Sequence, residues 1–264
     1  MPILAAALLP HSPLLIPEIG KSNYKFLQKT VAAYQKIIDD LKAKEITTIF
    51  LLSPHGPIQA DIFTINTAPE FGLSLEEFGF LNNKKIKGDL ALAYNIKDNL
   101  KKTFNIQQIT EIKLDYGSAI PLYLINEQIP NLKALILYYS ELDLDKHWSL
   151  GQALFPLLNN NPAKIAVIAS GDLSHRLKKS SPGGYSPKGA KFDNKLIEYL
   201  NKPEDGHNNI LNLDQNLIKD AGECGLKSIT ILLGILENLR YEPQVLAYQT
   251  DFGIGYLSMD FKLI

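Results

Sequence analysis

Three of the five histidines in this 264-residue chain fall just past short apolar runs that read as β-strands. They are His11 in ILAAALLPHSP (3–13), His55 in ITTIFLLSPHG (46–56) and His175 in KIAVIASGDLSH (164–175). In an open α/β sheet, ligands bind outside the carboxyl ends of the strands. Imidazoles brought to that edge from three strands point to a metal centre or an acid/base site. His11 and His55 are flanked by proline or glycine, which fix the backbone and leave room for a ligand to approach. Two neutral imidazoles and one carboxylate, with positions left free, form the facial triad that suits non-haem Fe(II). The carboxylate in that scheme is Glu223 of AGECGLKS, at the start of an apolar helix, where capping is its simpler use. Cys224 beside it is the alternative ligand, since thiolate binds Fe, Zn and Cu; its simpler reading is a small buried hydrophobe. In GDLSH, Asp172 and His175 share one short turn. A carboxylate near an imidazole fixes its tautomer and raises its basicity, which suits an acid/base catalyst or a ligand. Asp172 could otherwise serve only to cap the turn. His147 is expected on an exposed helical turn and His207 in a polar loop.

The elements that must hold these residues alternate between strand and helix. Residues 21–44, 88–104, 117–128, 144–159, 188–201, 207–220 and 225–239 read as helices from their apolar spacing. The apolar run that opens the stretch 3–13 and those at 46–53, 133–140 and 164–170 read as buried strands, with DIFTINT as a looser one. The end of the chain reads as two antiparallel strands joined by a turn. Together these predict a single α/β domain over residues 1–264, with a mainly parallel, mixed central sheet and helices on both faces.

Composition narrows the function. The 27 basic and 28 acidic residues give a formal net charge of −1, and no basic run or stacked aromatic pattern marks a nucleic-acid surface. A single cysteine excludes an internal disulfide framework and fits a reducing compartment. No apolar stretch approaches the ~20 residues needed to span a bilayer. A cytoplasmic location follows as the expectation, with neither nucleic acid nor membrane as partner. There is no Walker-type loop, no GxGxxG after the first strand and no GxSxG elbow. A zinc hydrolase using the same histidines stays open, because their spacing does not name the metal.

Read together, PHSPLLIPE, SPHGP, LDYGSAIPL (114–122), SGDLSHRL (170–177), GYSPKGAKFD (184–193), GECGLKS (222–228) and DFGIGYLSMDF resemble the class III, LigB-type extradiol ring-cleavage dioxygenases and the related Memo-like proteins. The resemblance runs nearly end to end. It implies that His11, His55 and Glu223 hold Fe(II), with Zn or Cu as other occupants, and that His175 is the acid/base. The implied reactants are a small aromatic diol and O2. In the Memo-like branch a cysteine enters the metal site, near Cys224, and the partner is another protein; a homodimer is also compatible. Where these dioxygenases commonly carry a second active-site histidine in L-D-H-G, this chain has Tyr116. A phenol, with an ordinary pKa of ~10, donates a hydrogen bond well and shuttles protons poorly near neutrality.

Overall fold

The runs ILAAALL, TIFLLS, KALILY and IAVIAS place apolar side chains on both faces of an extended chain, an arrangement stable only between two covering layers. In the computed structural model, which describes residues 2–202 and 204–264, they lie side by side as the parallel centre of one mixed sheet. The strands are β1 (Ile3–Leu9), β2 (Thr48–Ser53), β3 (Phe63–Asn66), β4 (Glu70–Gly72), β5 (Lys85–Gly88), β6 (Ile106–Ile109), β7 (Lys133–Tyr138), β8 (Ile165–Ser170), β9 (Tyr241–Gln249) and β10 (Tyr256–Leu263). The helices are α1 (Pro17–Gly20), α2 (Gln28–Ala43), α3 (Leu90–Leu100), α4 (Tyr116–Asn126), α5 (Leu144–Asn159), α6 (Pro187–Leu200), α7 (Gly206–Leu211), α8 (Gln215–Ala221) and α9 (Leu226–Leu236).

Sheet order is β4-β5-β7-β2-β8-β1-β10-β9, with β3 pairing β6 and β7 beside this path. The core strands β7, β2, β8 and β1 all run the same way, and β10 and β9 close one edge antiparallel. The period-2 alternation of a strand divides the core into two layers. Ala5, Ala7, Leu9, Ile49, Leu51, Ile136 and Ile168 pack on α2 and α4. Ala6, Leu8, Phe50, Leu52, Leu137 and Val167 pack on α3, α5, α6 and α9. The α5–α9 crossing is close: a Cβ on Gly151 would come within 2.2 Å of the Ile231 carbonyl oxygen. That contact fixes the seat of α9 and of the turn leading into it.

The predicted α/β architecture with helices on both faces is the one observed. The structure adds β4, β5 and β6, and begins the first long helical stretch as a 3-10 segment at Lys21–Leu27. The stretch 207–220 divides into α7 and α8, because Asp214 accepts the Leu217 N–H at 2.7 Å and starts a new helix. His147 corrects an expectation: it is buried, not exposed, on the apolar stripe of α5 with Leu144, Leu150 and Leu154. Its Nδ1–H donates to the Asp143 carbonyl at 2.6 Å, and its Nε2 accepts the Ser140 N–H at 3.3 Å. His207 also differs from a loop residue; it sits on α7 and stacks on Trp148 with ring centres 4.9 Å apart. Among the described residues, no helix is long and apolar enough to cross a membrane.

Candidate metal centre

Parallel strands end at the same edge, so whatever follows β1, β2 and β8 is gathered there. His11 lies two residues past β1, His55 two past β2, and Asp172 two past β8, the strand between them. His11 Nε2 and His55 Nε2 stand 3.0 Å apart, and Cys224 Sγ, from the turn before α9, lies 3.6 Å from His11 Nε2. One ligand atom from each of these three residues falls within 4.8 Å of the others.

Hydrogen bonds hold each donor in place. The His11 N–H donates to Asp172 Oδ1 at 3.1 Å, while Asp172 Oδ2 stands 3.7 Å from His11 Nε2. The Asp172 N–H donates to Cys224 Sγ at 3.3 Å, and the Asp172 carbonyl accepts the Cys224 and Gly225 N–H groups. One backbone turn after β8 therefore fixes both a histidine and the cysteine. The His175 ring bonds the Gly222 carbonyl through Nδ1 at 2.7 Å. A carbonyl only accepts, so Nδ1 carries the proton and Nε2 is the ring atom left for a substrate.

The electrostatics suit ligation. Burial, reinforced by His175, lowers His11 to about 3; burial, with His11 and His55 near each other, lowers His55 to about 3 as well. Both rings are thus neutral at physiological pH, the form that binds metals. Burial raises Asp172, with the opposing charge of His175 pulling it back. Burial also pushes the Cys224 thiol above its ordinary value. A bound cation reverses that preference, because a coordinating thiol is deprotonated outright. Two imidazoles and one thiol at these separations are donors that fit Fe(II), Zn(II) or copper.

Tyr116 forms the neighbouring wall. Its ring stacks on His55 with centres 4.3 Å apart and meets His11 edge-on at 5.5 Å. It opens α4, whose N-terminus is capped by Asp115: Oδ1 accepts the Ser118 N–H at 2.9 Å and also the Ser53 hydroxyl at 2.9 Å. The cap thus ties the end of β2 to the first turn of α4. A Cβ on Gly117 would meet His55 Cδ2 at 3.0 Å, so glycine lets the helix approach this closely. Burial first, then the surrounding acidic groups, raise the Tyr116 hydroxyl well above its ordinary value. It is a hydrogen-bond donor here, not a base.

The GDLSH segment is anchored from α6. Asp193 Oδ1 accepts the Ser174 N–H at 2.8 Å and Oδ2 accepts the Tyr248 hydroxyl at 2.7 Å. Burial pushes this carboxyl up to about 6. Its folded value lies above the unfolded one of ~3.9, so its contribution is fully present below pH ~4 and lost as pH rises through about 6. Above that, holding the charge costs about 2–3 kcal/mol. Asp193→Asn is expected to lack this slope. The urea midpoint of the variant relative to wild type should move in the variant's favour between pH 4.5 and 7.5; a constant difference would rule the account out.

The sequence-derived residues are thus distributed as follows. His11, His55 and Cys224 come together, with Asp172 and Tyr116 against them. His175 is close enough for its charge to be felt at His11, His55 and Asp172. Glu223 is not part of the cluster. Its Oε2 accepts the Leu226 N–H at 2.6 Å, in the capping use, and its side chain lines a cleft with Glu141 and Lys227. Sequence reading missed Ser53, Asp115 and Ser170, whose hydrogen bonds hold the assembly. The S-P-H spacing after β2 and the D-x-x-S cap before α4 were their available signals.

Known proteins share this architecture and sequence pattern. Residues 5–258 match the family described as the catalytic LigB subunit of aromatic ring-opening dioxygenase. The protein CA_C1420 of Clostridium acetobutylicum is 32% identical over 94% of this chain, which spans about half (55%) of that relative's length. The 3,4-dihydroxyphenylacetate 2,3-dioxygenase of Escherichia coli is 22% identical, with 91% of this chain and 92% of the enzyme covered. The crystal structure of the protein JW3007 from Escherichia coli K12 superposes with a TM-score of 0.69 over 98% of this chain and 99% of that one, at 17% identity. A match over nearly the whole chain makes this protein a member of the LigB family.

Proposed function

We propose that the protein is a non-haem Fe(II)-dependent oxidoreductase that opens the ring of a small catechol-type aromatic with O2. The observation that carries this reading is the convergence of His11 Nε2, His55 Nε2 and Cys224 Sγ at the carboxyl edge of the sheet. Those three residues would hold the metal, which when bound supplies a redox-active centre for the diol and O2; Zn(II) or copper would fit the same donors. His175, with Nδ1–H committed to Gly222, presents Nε2 to take the proton of a substrate hydroxyl and return it later. Tyr116 stacks on His55 and offers its hydroxyl proton as a donor to a substrate oxygen. Asp172 keeps His11 in place from the backbone side. The free Cys224 fits the reducing cytoplasm in which the protein is proposed to act.

A second reading, a Memo-like metal-binding or redox protein without ring cleavage and with a protein partner, is favoured by the two features that depart from the dioxygenase pattern. The third donor is a thiol, and a phenol occupies the place of the second histidine. One experiment separates the two. The metal-free protein is reconstituted anaerobically with Fe(II), then given a panel of catechols and O2, and absorbance is followed for coloured ring-fission products. Product formation is the expected result. Stoichiometric iron with no product from any catechol removes the first reading and leaves the second.

A further inference from the structure

Ser170, the last residue of β8, is fully buried between α4 and the cluster. Its Oγ has two partners, the Gly117 carbonyl oxygen at 2.6 Å and His11 Nδ1 at 2.9 Å. A hydroxyl has one proton, and a carbonyl can only accept. The proton therefore goes to Gly117, and the bond to His11 is made by the ring's own Nδ1–H. This holds His11 as the Nδ1–H tautomer, with the Nε2 lone pair directed at His55 Nε2 and near Cys224 Sγ.

The need for a donor at Gly117 is written in the sequence. Inside an α-helix its carbonyl would accept from the N–H four residues on. That residue is Pro121, within α4, and proline has no N–H. We propose that Ser170 is a positioning residue of the metal centre, and that Pro121, by withdrawing the helix's own donor from Gly117, sets the direction of the Ser170 hydroxyl and with it the tautomer of His11. The link to metal binding rests on the function proposed above; the tautomer itself does not. Because Gly117 follows Tyr116, the same hydroxyl also ties the aromatic wall to the ligand.

The test uses the full chain with 15N-labelled histidine. In metal-free wild type, the His11 ring is expected as the Nδ1–H form. In Ser170→Ala that proton loses its acceptor, and the Nε2–H form should grow to a comparable share. Titration with Zn(II) alone should then show affinity reduced roughly 10–100-fold, as when the outer partner of a ligating histidine is lost. Pro121→Ala restores a helical N–H and keeps the fold; it should shift the tautomer the same way with a smaller loss of affinity. A merely structural role would lower the melting temperature and leave the ring nitrogens as they were. Wild-type tautomer and Zn(II) affinity in Ser170→Ala overturn the proposal, and an unchanged tautomer in Pro121→Ala overturns the part given to proline. The expected tautomers in a wild-type protein that takes up no Zn(II) or Fe(II) would instead defeat the functional reading and leave the hydrogen-bond relay standing.

Discussion

Cys224→Ser is expected to weaken metal binding by roughly a hundredfold or more, whereas Glu223→Gln leaves it within about threefold. Structural metal sites distribute ~10–16 kcal/mol over four ligands, so one strong donor is worth about 3 kcal/mol, or two orders of magnitude in affinity. Serine keeps the size of cysteine and can still accept the Asp172 N–H that Sγ accepts at 3.3 Å, so the turn before α9 survives. The change then reads ligation and little else. Glutamine likewise keeps the oxygen that caps Leu226. His11→Ala and His55→Ala should abolish iron binding outright. The opposite pattern, with Cys224→Ser silent and Glu223→Gln severe, would mean that the cap rearranges on metal uptake and that the carboxylate is the ligand after all. The readout is a dissociation constant for Fe(II) under anaerobic conditions, backed by the thiolate charge-transfer band of the Co(II)-substituted protein.

The second large effect lies at His175. On any substrate that reconstituted protein turns over, His175→Ala should lower kcat by about 10²–10⁴, the range for loss of a positioned general acid/base, with stoichiometric iron retained. The ring is half-buried, and its Nδ1 bond goes to the Gly222 carbonyl in the turn that also carries Cys224, a turn held independently by the Asp172 carbonyl. Removing it therefore leaves His11, His55 and Cys224 in place. Loss of iron in this variant would make His175 a ligand and not a proton carrier.

Much of this arrangement is legible in the sequence. Short, nearly continuous apolar runs rich in β-branched residues suit strands covered on both faces, and parallel strands deliver their following residues to one edge. The pattern thereby places His11, His55 and the GDLSH turn, with Asp172 and His175, at one edge. The choice between Glu223 and Cys224 is not legible there, because adjacent residues in a tight turn point opposite ways. Which one faces the histidines depends on the Asp172 carbonyl receiving the Cys224 and Gly225 N–H groups, a contact 52 residues away in the chain. The short strands KIKG and IQQI carry too few apolar residues to show a period, and they exist because β7 and β3 offer them edges. His147 misled for a different reason. The residues before it, Asp145 and Lys146, are charged, but the helical phase set by Leu144 and Leu150 turns it inward. Ser170 is the one polar residue of the run IAVIAS, and nothing in that run shows that its hydroxyl meets the Gly117 carbonyl of α4.

The donors of the cluster come from positions 11, 55 and 224, so none of them is near another until the chain is almost completely folded. Closing such distant contacts is the slow, late part of assembly. A cation added to refolding protein would find no partial site to nucleate on and should leave the folding rate unchanged. It would bind only the finished molecule, and what it stabilises would have to be undone before the sheet could open. Its signature should thus be a slower unfolding rate, making the metal a latch that closes after folding and not a seed that starts it.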